Sequence, residues 1–291
     1  MIAAPDLGDL GPLWLVGCGN MGGALLSRWL ECGLPPDQVT VIDPSPRGLP
    51  DGVPIRVLAV PPEGGAPKII ILAVKPQMLG VVAKTIRTCA VAGGGAFVSI
   101  LAGTSIATLS GLFPDCCIVR AMPNSPARLG KGVTALFSAT AMPASRTSVE
   151  RLMLAAGTVH WLEAEAQFDA VTGVSGSGPA YVFRMIEALE SAGVSAGLPE
   201  PLAAALARET VVGAAALVAE SSASPAALRA QVTSPNGTTQ AGLEVLDGNG
   251  DLSNLMRKTV AAATVRSREL GQGSSAVLEK PLAKRLLQFL D

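Results

Sequence analysis

The segment of this chain with the clearest chemistry is V-T-S-P-N-G-T-T-Q-A-G, at residues 232–242. Hydroxyl side chains, among them those of Ser234, Thr238 and Thr239, flank a Pro-Asn-Gly turn at the predicted start of a helix. A helix N-terminus has unpaired backbone N–H groups and a partial positive charge, so it attracts a small anion such as a carboxylate. The segment therefore predicts a seat for a substrate carboxylate, although an ordinary capped turn between two helices uses the same residue types.

A glycine loop near the start of the chain predicts nucleotide binding. It follows the apolar run at residues 13–16 and opens an apolar-periodic stretch, which is the strand, turn and helix context of a dinucleotide-binding fingerprint. The loop consists of Gly17, Cys18, Gly19, Asn20, Met21 and Gly22. Gly17 would make the tight turn, Gly19 would let the backbone approach a pyrophosphate, and Gly22 would let the helix pack closely on its strand. Cys18 is interpreted as a small loop residue, with a catalytic thiol as the alternative.

The residues after the next predicted strand, 39–42, bear on the choice of nicotinamide cofactor. Asp43 lies about where an acidic residue meets the ribose hydroxyls, which favours NADH. Ser45 and Arg47 follow it and suit the 2′-phosphate of NADPH if Asp43 turns away. We therefore expect both NADH and NADPH to be accepted, with a weak preference.

Three further segments lie where ligands bind in such a fold, at the carboxyl ends of strands and at the start of a second domain. They are Ala73-Val74-Lys75-Pro76-Gln77, Arg120-Ala121-Met122-Pro123-Asn124-Ser125-Pro126 and Gly173-Val174-Ser175-Gly176-Ser177-Gly178-Pro179-Ala180-Tyr181. Lys75 either faces the cofactor or is solvated. The prolines of the second segment predict a rigid, extended floor, and Pro179 suits the first turn of a helix.

Short apolar runs alternate with helical patterns in the first half of the chain, which predicts an α/β fold with a parallel, doubly wound sheet of the Rossmann type. Strand-like runs occur at 13–16, 39–42, 69–74, 97–100 and 118–122, and runs at 133–137 and 158–162 would extend the sheet edge. From about residue 167 the strands stop, and Ala- and Leu-rich helical stretches follow at 179–191, 199–219, 238–246 and 252–270. The predicted organisation is an N-terminal extension at 1–12, a dinucleotide-binding domain at 13–165 and an all-helical domain at 166–291.

The composition argues against several other classes of protein. The formal net charge is −1 over 291 residues with no run of basic residues, so no nucleic-acid partner is expected. The mean hydropathy is +0.43, but no uninterrupted apolar run reaches the roughly 18 residues of a membrane-spanning helix. The first eleven residues lack a basic segment and contain two Asp, so the expected location is the cytoplasm.

Cysteine and histidine usage narrows the chemistry. The five cysteines form no C-x-x-C pair, which suits reduced thiols. The single histidine, His160, cannot by itself build a His-rich metal site or a His-Asp relay, so no metal is expected and His160 is interpreted as structural. This argues against a 2-hydroxy-acid dehydrogenase, which depends on a histidine acid/base.

One predicted helix has almost no polar face. Residues 211–218 read V-V-G-A-A-A-L-V. A small monomeric helical domain covers such a helix with difficulty, so a partner subunit is indicated. The alternative is a central helix surrounded by the helices of its own domain.

Five motifs, in this order, are similar to those of the pyrroline-5-carboxylate reductases. They are G-C-G-N-M-G, A-V-K-P-Q, R-A-M-P-N-S-P-A, D-A-V-T-G-V-S-G-S-G-P-A-Y-V-F and V-T-S-P-N-G-T-T, and the likeness runs from Leu13 to about Leu270. The resemblance implies NADPH- or NADH-dependent reduction of 1-pyrroline-5-carboxylate to L-proline, the final step of proline biosynthesis. It also implies a helical domain that interlocks with its partner in a homodimer, which in this family is often stacked into a larger ring such as a decamer.

The resemblance also implies roles for individual residues. The positions expected to hold the cofactor are Gly17 to Gly22 and Ala73 to Pro76, with Ala121 and Asn124 near its nicotinamide end. Those expected to hold the carboxylate and ring nitrogen of the imino-acid substrate are Ser234, Gly237, Thr238 and Thr239. Thr239 is the expected catalytic residue, through a hydrogen bond from its hydroxyl to the ring nitrogen.

Three departures from related patterns matter. Asn236 stands where many relatives have glycine, and asparagine tolerates positive φ well enough to preserve the turn. The short Gly/Pro-rich loop at 61–67 leaves the adenosine-side contacts open. Val182 stands where the related β-hydroxyacid dehydrogenases have a catalytic lysine, which argues against alcohol oxidation.

Two other functions stay open at this point. A reductase of another cyclic imino acid, such as a pyrroline- or piperideine-2-carboxylate, would keep the cofactor site but move the carboxylate relative to the C=N bond. A non-catalytic NAD(P)-binding protein would bind the cofactor without turnover, and the intact S-P-N-G-T-T argues against it.

Overall fold

The structure is a computed structural model that describes residues 5–62, 65–86, 95–114 and 116–279. By spatial proximity the chain divides into two compact units. Residues up to Gly176 and those from Ala262 onward form the first unit, and Ser177–Ala261 form the second. Cys89 and the middle of the loop at 61–67 lie outside the described residues.

A β-sheet forms the centre of the first unit. Its strands are β1 (Leu13–Val16), β2 (Val39–Ile42), β3 (Arg56–Leu58), β4 (Ile69–Leu72), β5 (Ala96–Ser99), β6 (Ile118–Met122), β7 (Gly132–Phe137) and β8 (Gly157–Trp161). They lie in the order β3-β2-β1-β4-β5-β6-β7-β8. The direction of winding changes between β1 and β4, and the carboxyl ends of strands at such a point border the dinucleotide crevice of Rossmann folds. The predicted Rossmann-type sheet is confirmed.

The sheet differs from the sequence prediction at both edges. The sequence does not indicate β3, because its side chains are largely exposed and it has no apolar run. β7 pairs antiparallel with β6, whereas the other neighbouring strands are parallel. A single 3-10 turn, Ser125–Leu129, links β6 to β7. This link is too short for the crossover that parallel neighbours need.

Helices cover both faces of the sheet. They are α1 (Asn20–Glu31), α2 (Leu79–Ile86), α3 (Ile106–Leu112), α4 (Pro143–Leu154) and α5 (Phe168–Val171), and a π-helical turn, Thr172–Gly176, follows α5. Every residue of β1 and β4 is buried, which explains why these strands read as continuous apolar runs. One face packs around Trp29 and the other around Phe97.

The described part of the N-terminal extension belongs to the core of the first unit. Leu7 and Leu10 are buried among its apolar residues, and the N–H of Leu7 donates to the carbonyl of Cys32 at 3.1 Å. The Arg151 guanidinium donates to both carboxylate oxygens of Asp9, at 2.7 and 3.1 Å. The segment therefore packs as part of the dinucleotide-binding unit.

The second unit is helical, as predicted. Its helices are α6 (Gly178–Ser195), α7 (Glu200–Glu220), α8 (Pro225–Gln231) and α9 (Thr238–Asp247), and α10 (Asp251–Glu279) begins there. Ala203 and Ala207 are the only fully buried apolar residues described between 177 and 261. They let α7 approach α6 closely, since a Cβ on Gly193 would lie 3.2 Å from that of Ala203. The sequence does not indicate α8, which is only seven residues long.

One described helix, α7, is long and apolar enough to cross a membrane by length and composition. Only 11 % of its apolar stretch is buried within the chain. Arg208 and Glu209 lie in the middle of this helix. The exposed apolar surface of α7 therefore needs a cover that its own unit does not supply.

Candidate functional site

The backbone of the glycine loop, which follows β1, packs against the residues that follow β4. Gly17 has a φ of +92°. A Cβ on Gly17 would lie 2.8 Å from the backbone of both Ala73 and Val74. A Cβ on Gly22 would lie 2.5 Å from the carbonyl oxygen of Gly17, so α1 packs directly on its strand. The structure thus brings together two of the segments that the sequence assigns to the cofactor.

A second glycine contact braces the loop from the other side. A Cβ on Gly23 would lie 2.3 Å from the carbonyl oxygen of Gly48. The N–H groups of Arg47 and Gly48 both donate to the carbonyl of Cys18, at 3.0 and 2.9 Å. The sequence does not indicate the roles of Gly23 and Gly48, because the fingerprint specifies only the first three glycines.

The start of α1 is open toward a ligand. Gly19 is its N-cap residue and no side chain caps this end of the helix. No atom of the described residues lies within 4 Å of a Cβ built on Gly19, and Gly19 and Asn20 are exposed. A helix start with unpaired N–H groups and room above its glycine fits a pyrophosphate. The residues present therefore fit a nicotinamide dinucleotide.

Asp43 supports the glycine loop in addition to any contact with a ribose. One oxygen of its carboxylate accepts the N–H of Cys18 at 2.7 Å, and the other accepts the N–H of Ser45 at 2.8 Å. Ser45 and Arg47 are exposed, as is Lys75 after β4. Asp43 is thus turned toward the protein, while Ser45 and Arg47 are accessible to a cofactor phosphate.

Cys18 is fully buried beneath the loop. Burial raises the pKa of its thiol, and the nearby Asp43 carboxylate raises it further, against a lowering contribution from the N–H of Gly48. A thiol is nucleophilic as its thiolate, so this environment supports the small-residue interpretation. His160 is exposed on β8, at the edge of the sheet.

Ala121 and Asn124 lie at the carboxyl end of β6, and both are buried. The Asn124 side chain is engaged by the protein. Its Oδ1 accepts the N–H of Val133 at 2.9 Å, and its Nδ2 donates to the carbonyl of Ser175 at 3.1 Å. Asn124 therefore joins β7 to the π-helical turn.

The first unit also contains a charged cluster that the sequence analysis misses. Arg120 pairs with Glu165 at 2.6 Å, and its guanidinium lies 4.2 Å from the ring centre of Phe168. Asp169 accepts from the Ser267 hydroxyl at 2.7 Å. The lining of a pocket of about 380 Å³ includes Arg120, Glu165, Asp169 and Ser267. The partners are far apart in sequence, so no local pattern indicates them.

The residues expected to hold the substrate lie together on one turn of the second unit. Asn236 has a φ of +59°, the left-handed conformation that its residue type tolerates. The N–H of Gly237 donates to the carbonyl of Ser234 at 3.1 Å, and the N–H of Asn236 donates to the Gln240 side chain at 2.8 Å. We call residues 234–239 the carboxylate seat, after the role that the sequence predicts for them.

The carboxylate seat ends in a helix start without a side-chain cap. Gly237 is the N-cap residue of α9, and among the described residues no side chain makes a capping hydrogen bond there. Thr238 and Thr239 occupy the first two helical positions and are exposed within the chain. Thr239 is therefore not the capping residue of α9. In the described part of the chain its hydroxyl has no hydrogen-bond partner, so it is available to a ligand.

A Rossmann unit with an open glycine loop defines a dinucleotide-binding protein. The family description "Pyrroline-5-carboxylate reductase dimerisation" matches residues 165–270, and "NADP oxidoreductase coenzyme F420-dependent" matches residues 13–103. The chain is 41 % identical over 270 residues to the pyrroline-5-carboxylate reductase of Synechocystis sp., covering 89 % of this chain and 98 % of that protein. The chain belongs to the pyrroline-5-carboxylate reductase family.

Solved structures agree with this assignment. A pyrroline-5-carboxylate reductase from Coxiella burnetii matches with a TM-score of 0.83 and 30 % identity, covering 90 % of this chain and 99 % of that one. A pyrroline carboxylate reductase from Plasmodium falciparum with NADP bound matches with a TM-score of 0.76 and 26 % identity, covering 91 % and 99 %. The chain is accordingly an NAD(P)H-dependent oxidoreductase of proline biosynthesis, which acts on a small-molecule substrate and forms homo-oligomers through its helical unit.

Proposed function

We propose that this chain reduces 1-pyrroline-5-carboxylate to L-proline with Thr239 as the catalytic residue and with the carboxylate seat as the substrate site. The uncapped start of α9 carries the proposal. A substrate carboxylate would accept the free N–H groups there and would be stabilised by the positive end of the helix dipole. The left-handed Asn236 supports it, because this conformation closes the turn before α9.

The chemistry of the substrate suits this set of residues. When bound, the reduced nicotinamide supplies a hydride. A protonated cyclic imine that accepts a hydride becomes a neutral amine, so the chain has no oxyanion to protonate. The Thr239 hydroxyl would hydrogen-bond the ring nitrogen while the seat holds the carboxylate. Positioning and electrostatics are then the main catalytic contributions.

The proposal extends to assembly and location. The exposed apolar residues of α6 and α7 suit an interlocked dimer, and the resemblance favours stacking of dimers into a larger ring such as a decamer. A second copy of the chain would cover α7, so we propose neither a membrane nor a nucleic acid as a partner. We also propose a cytoplasmic location for this biosynthetic enzyme.

An absorbance assay of the reduced nicotinamide tests the reaction. Purified protein is mixed with NADPH or NADH and with one of three substrates: 1-pyrroline-5-carboxylate, 1-pyrroline-2-carboxylate or 1-piperideine-2-carboxylate. We expect the highest kcat/KM with the 5-carboxylate. Faster turnover of a 2-carboxylate would assign the alternative reductase activity. Cofactor binding without turnover of any of the three would assign a non-catalytic role.

A further inference from the structure

Asn124 is buried, and its side chain makes contacts within the protein that its predicted role as a cofactor ligand does not require. It lies two residues after β6 and is 9 % exposed. Its amide accepts from the N–H of Val133 and donates to the carbonyl of Ser175. One side chain thus connects the end of β6, the start of β7 and the π-helical turn.

The carbonyl of Ser175 needs this donor because of the sequence that follows. The carbonyl of residue 175 would accept the N–H of residue 179 in an α-helix and that of residue 180 in a π-helical turn. Residue 179 is proline, which has no N–H. The N–H of Ala180 donates to the carbonyl of Ser177 instead. The Asn124 amide therefore satisfies a carbonyl that the helix leaves without its usual partner.

The π-helical turn is irregular and is contacted by residues of other elements. The hydroxyls of Thr172 and Ser175 donate back to carbonyls four residues earlier, at 2.8 and 3.1 Å. Such back-bonds bend helices, and π-helical turns are rare interruptions of the regular α-helical pattern. The turn also lies against β6, since a Cβ on Gly176 would be 3.0 Å from the terminal methyl of Met122.

We propose that Asn124 is a positioning residue for hydride transfer. It holds the π-helical turn against the carboxyl end of β6, the edge of the sheet where the nicotinamide end of a dinucleotide binds in this fold. The inference rests on the proposed reaction. It replaces the sequence-based role of Asn124 as a cofactor ligand with a role in fixing the turn, because both functional atoms of its amide already have partners in the protein.

The substitution Asn124→Asp tests this inference, because it keeps the side-chain shape and replaces the Nδ2 donor with an oxygen. Two acceptors then face each other at Ser175. We expect kcat for 1-pyrroline-5-carboxylate to fall on the order of ten- to a hundredfold, with the NADPH dissociation constant within about threefold of wild type. The primary deuterium isotope effect with nicotinamide labelled at C4 should increase, because hydride transfer becomes slower.

A matched control introduces the same change elsewhere. Asn254 is exposed in α10, and its Oδ1 accepts from Arg257. Asn254→Asp should leave kcat, the isotope effect and cofactor binding unchanged. Circular dichroism at the assay temperature measures the folded fraction of each variant, so that kcat is expressed per folded molecule.

The outcomes are distinct. Weaker NADPH binding with an unchanged kcat would make Asn124 a cofactor ligand and overturn the inference. A lower melting temperature with a wild-type kcat per folded molecule and a wild-type isotope effect would leave only a structural role and would also overturn it. If the wild-type protein does not reduce 1-pyrroline-5-carboxylate, the proposed function itself fails.

Discussion

The Asp43 carboxylate accepts the backbone N–H of Cys18 at 2.7 Å, although the two residues are 25 positions apart. The acidic residue that marks the ribose site of a Rossmann fold thus also ties the glycine loop to the end of β2. Its second oxygen holds the N–H of Ser45 at 2.8 Å. We therefore expect changes at Asp43 to affect both the affinity for the cofactor and the choice of cofactor.

We expect Asp43→Asn to weaken the binding of both NADH and NADPH. Each oxygen of the carboxylate accepts one N–H group, whereas an amide has a single oxygen. One of the two hydrogen bonds that hold the loop is therefore lost. The loss should be about tenfold, the effect of one hydrogen bond. Fluorescence titration with each cofactor measures it. Asp37→Asn, at an exposed position before β2, is the control. Loss of NADH affinity alone would restrict Asp43 to a ribose contact.

Cofactor choice gives the second prediction. We expect the wild-type enzyme to use NADH and NADPH with a difference in kcat/KM below about a thousandfold. Arg47→Ala should raise KM for NADPH several-fold and leave KM for NADH unchanged, because Arg47 is exposed and suits a 2′-phosphate. Arg56→Ala, on exposed β3, should change neither constant. A difference in kcat/KM above about a thousandfold in favour of either cofactor would contradict the expectation of weak preference.

The exposed face of α7 gives the third prediction. Ala215 is exposed within the chain, between Val212 and Leu217, which are 63 % and 61 % exposed. Ala215→Glu would place an unpaired charge in the apolar interface, so we expect association to weaken by a hundredfold or more, on the order of the cost of burying a charge. Sedimentation velocity measures it, with Gln231→Glu on α8 as the control. A wild-type protein that stays monomeric and active at micromolar concentration would contradict the prediction.

The N-terminal segment gives the fourth prediction. Hydrogen bonds from Arg151, followed by a backbone hydrogen bond, hold the pKa of Asp9 below its usual value. A carboxyl with a lowered pKa in the folded state stabilises the protein above its unfolded-state pKa, and that contribution is lost as the pH falls through the lowered value. We expect Asp9→Asn to lower the melting temperature at pH 7, and we expect the difference from wild type to shrink as the pH falls below about 4 and through the lowered pKa of Asp9. Thermal scans across pH check this, with Asp51→Asn as the control. An equal loss at pH 3 would point to packing.

The main elements of the fold could be predicted because they are encoded locally. Strands β1, β2 and β6 begin and end where the apolar runs do, since buried parallel strands need no polar alternation. The roles of Gly17 and Gly22 could be predicted for the same reason, because only glycine permits such close backbone approach. β3 has neither an apolar run nor a glycine motif, so it could not be predicted.

The contacts that support the site could not be predicted from local pattern. Arg120 meets Glu165 across 45 positions, and Asn124 meets Ser175 across 51. Each partner lies in a different element, and the register between those elements is decided by packing of the whole unit. A sequence motif marks such residues as important but does not say which atoms they contact.

Thr239 gives the last prediction. Thr239→Val keeps the shape of the side chain and removes its hydroxyl. We expect kcat/KM to fall on the order of ten- to a thousandfold, the effect of losing one polar contact worth roughly 1.5 to 4 kcal/mol in the transition state. The melting temperature should change little, because Gly237 and not Thr239 is the N-cap residue of α9 and no side chain caps this helix.

The same measurements on a second threonine provide the control. Thr147 is exposed in α4, and its hydroxyl donates to the carbonyl of Pro143 at 3.0 Å. Thr147→Val should leave the kinetics at wild-type values. If Thr239→Val instead loses about 1 kcal/mol of stability, the usual contribution of a helix cap, and stays fully active, Thr239 acts in folding and not at the site.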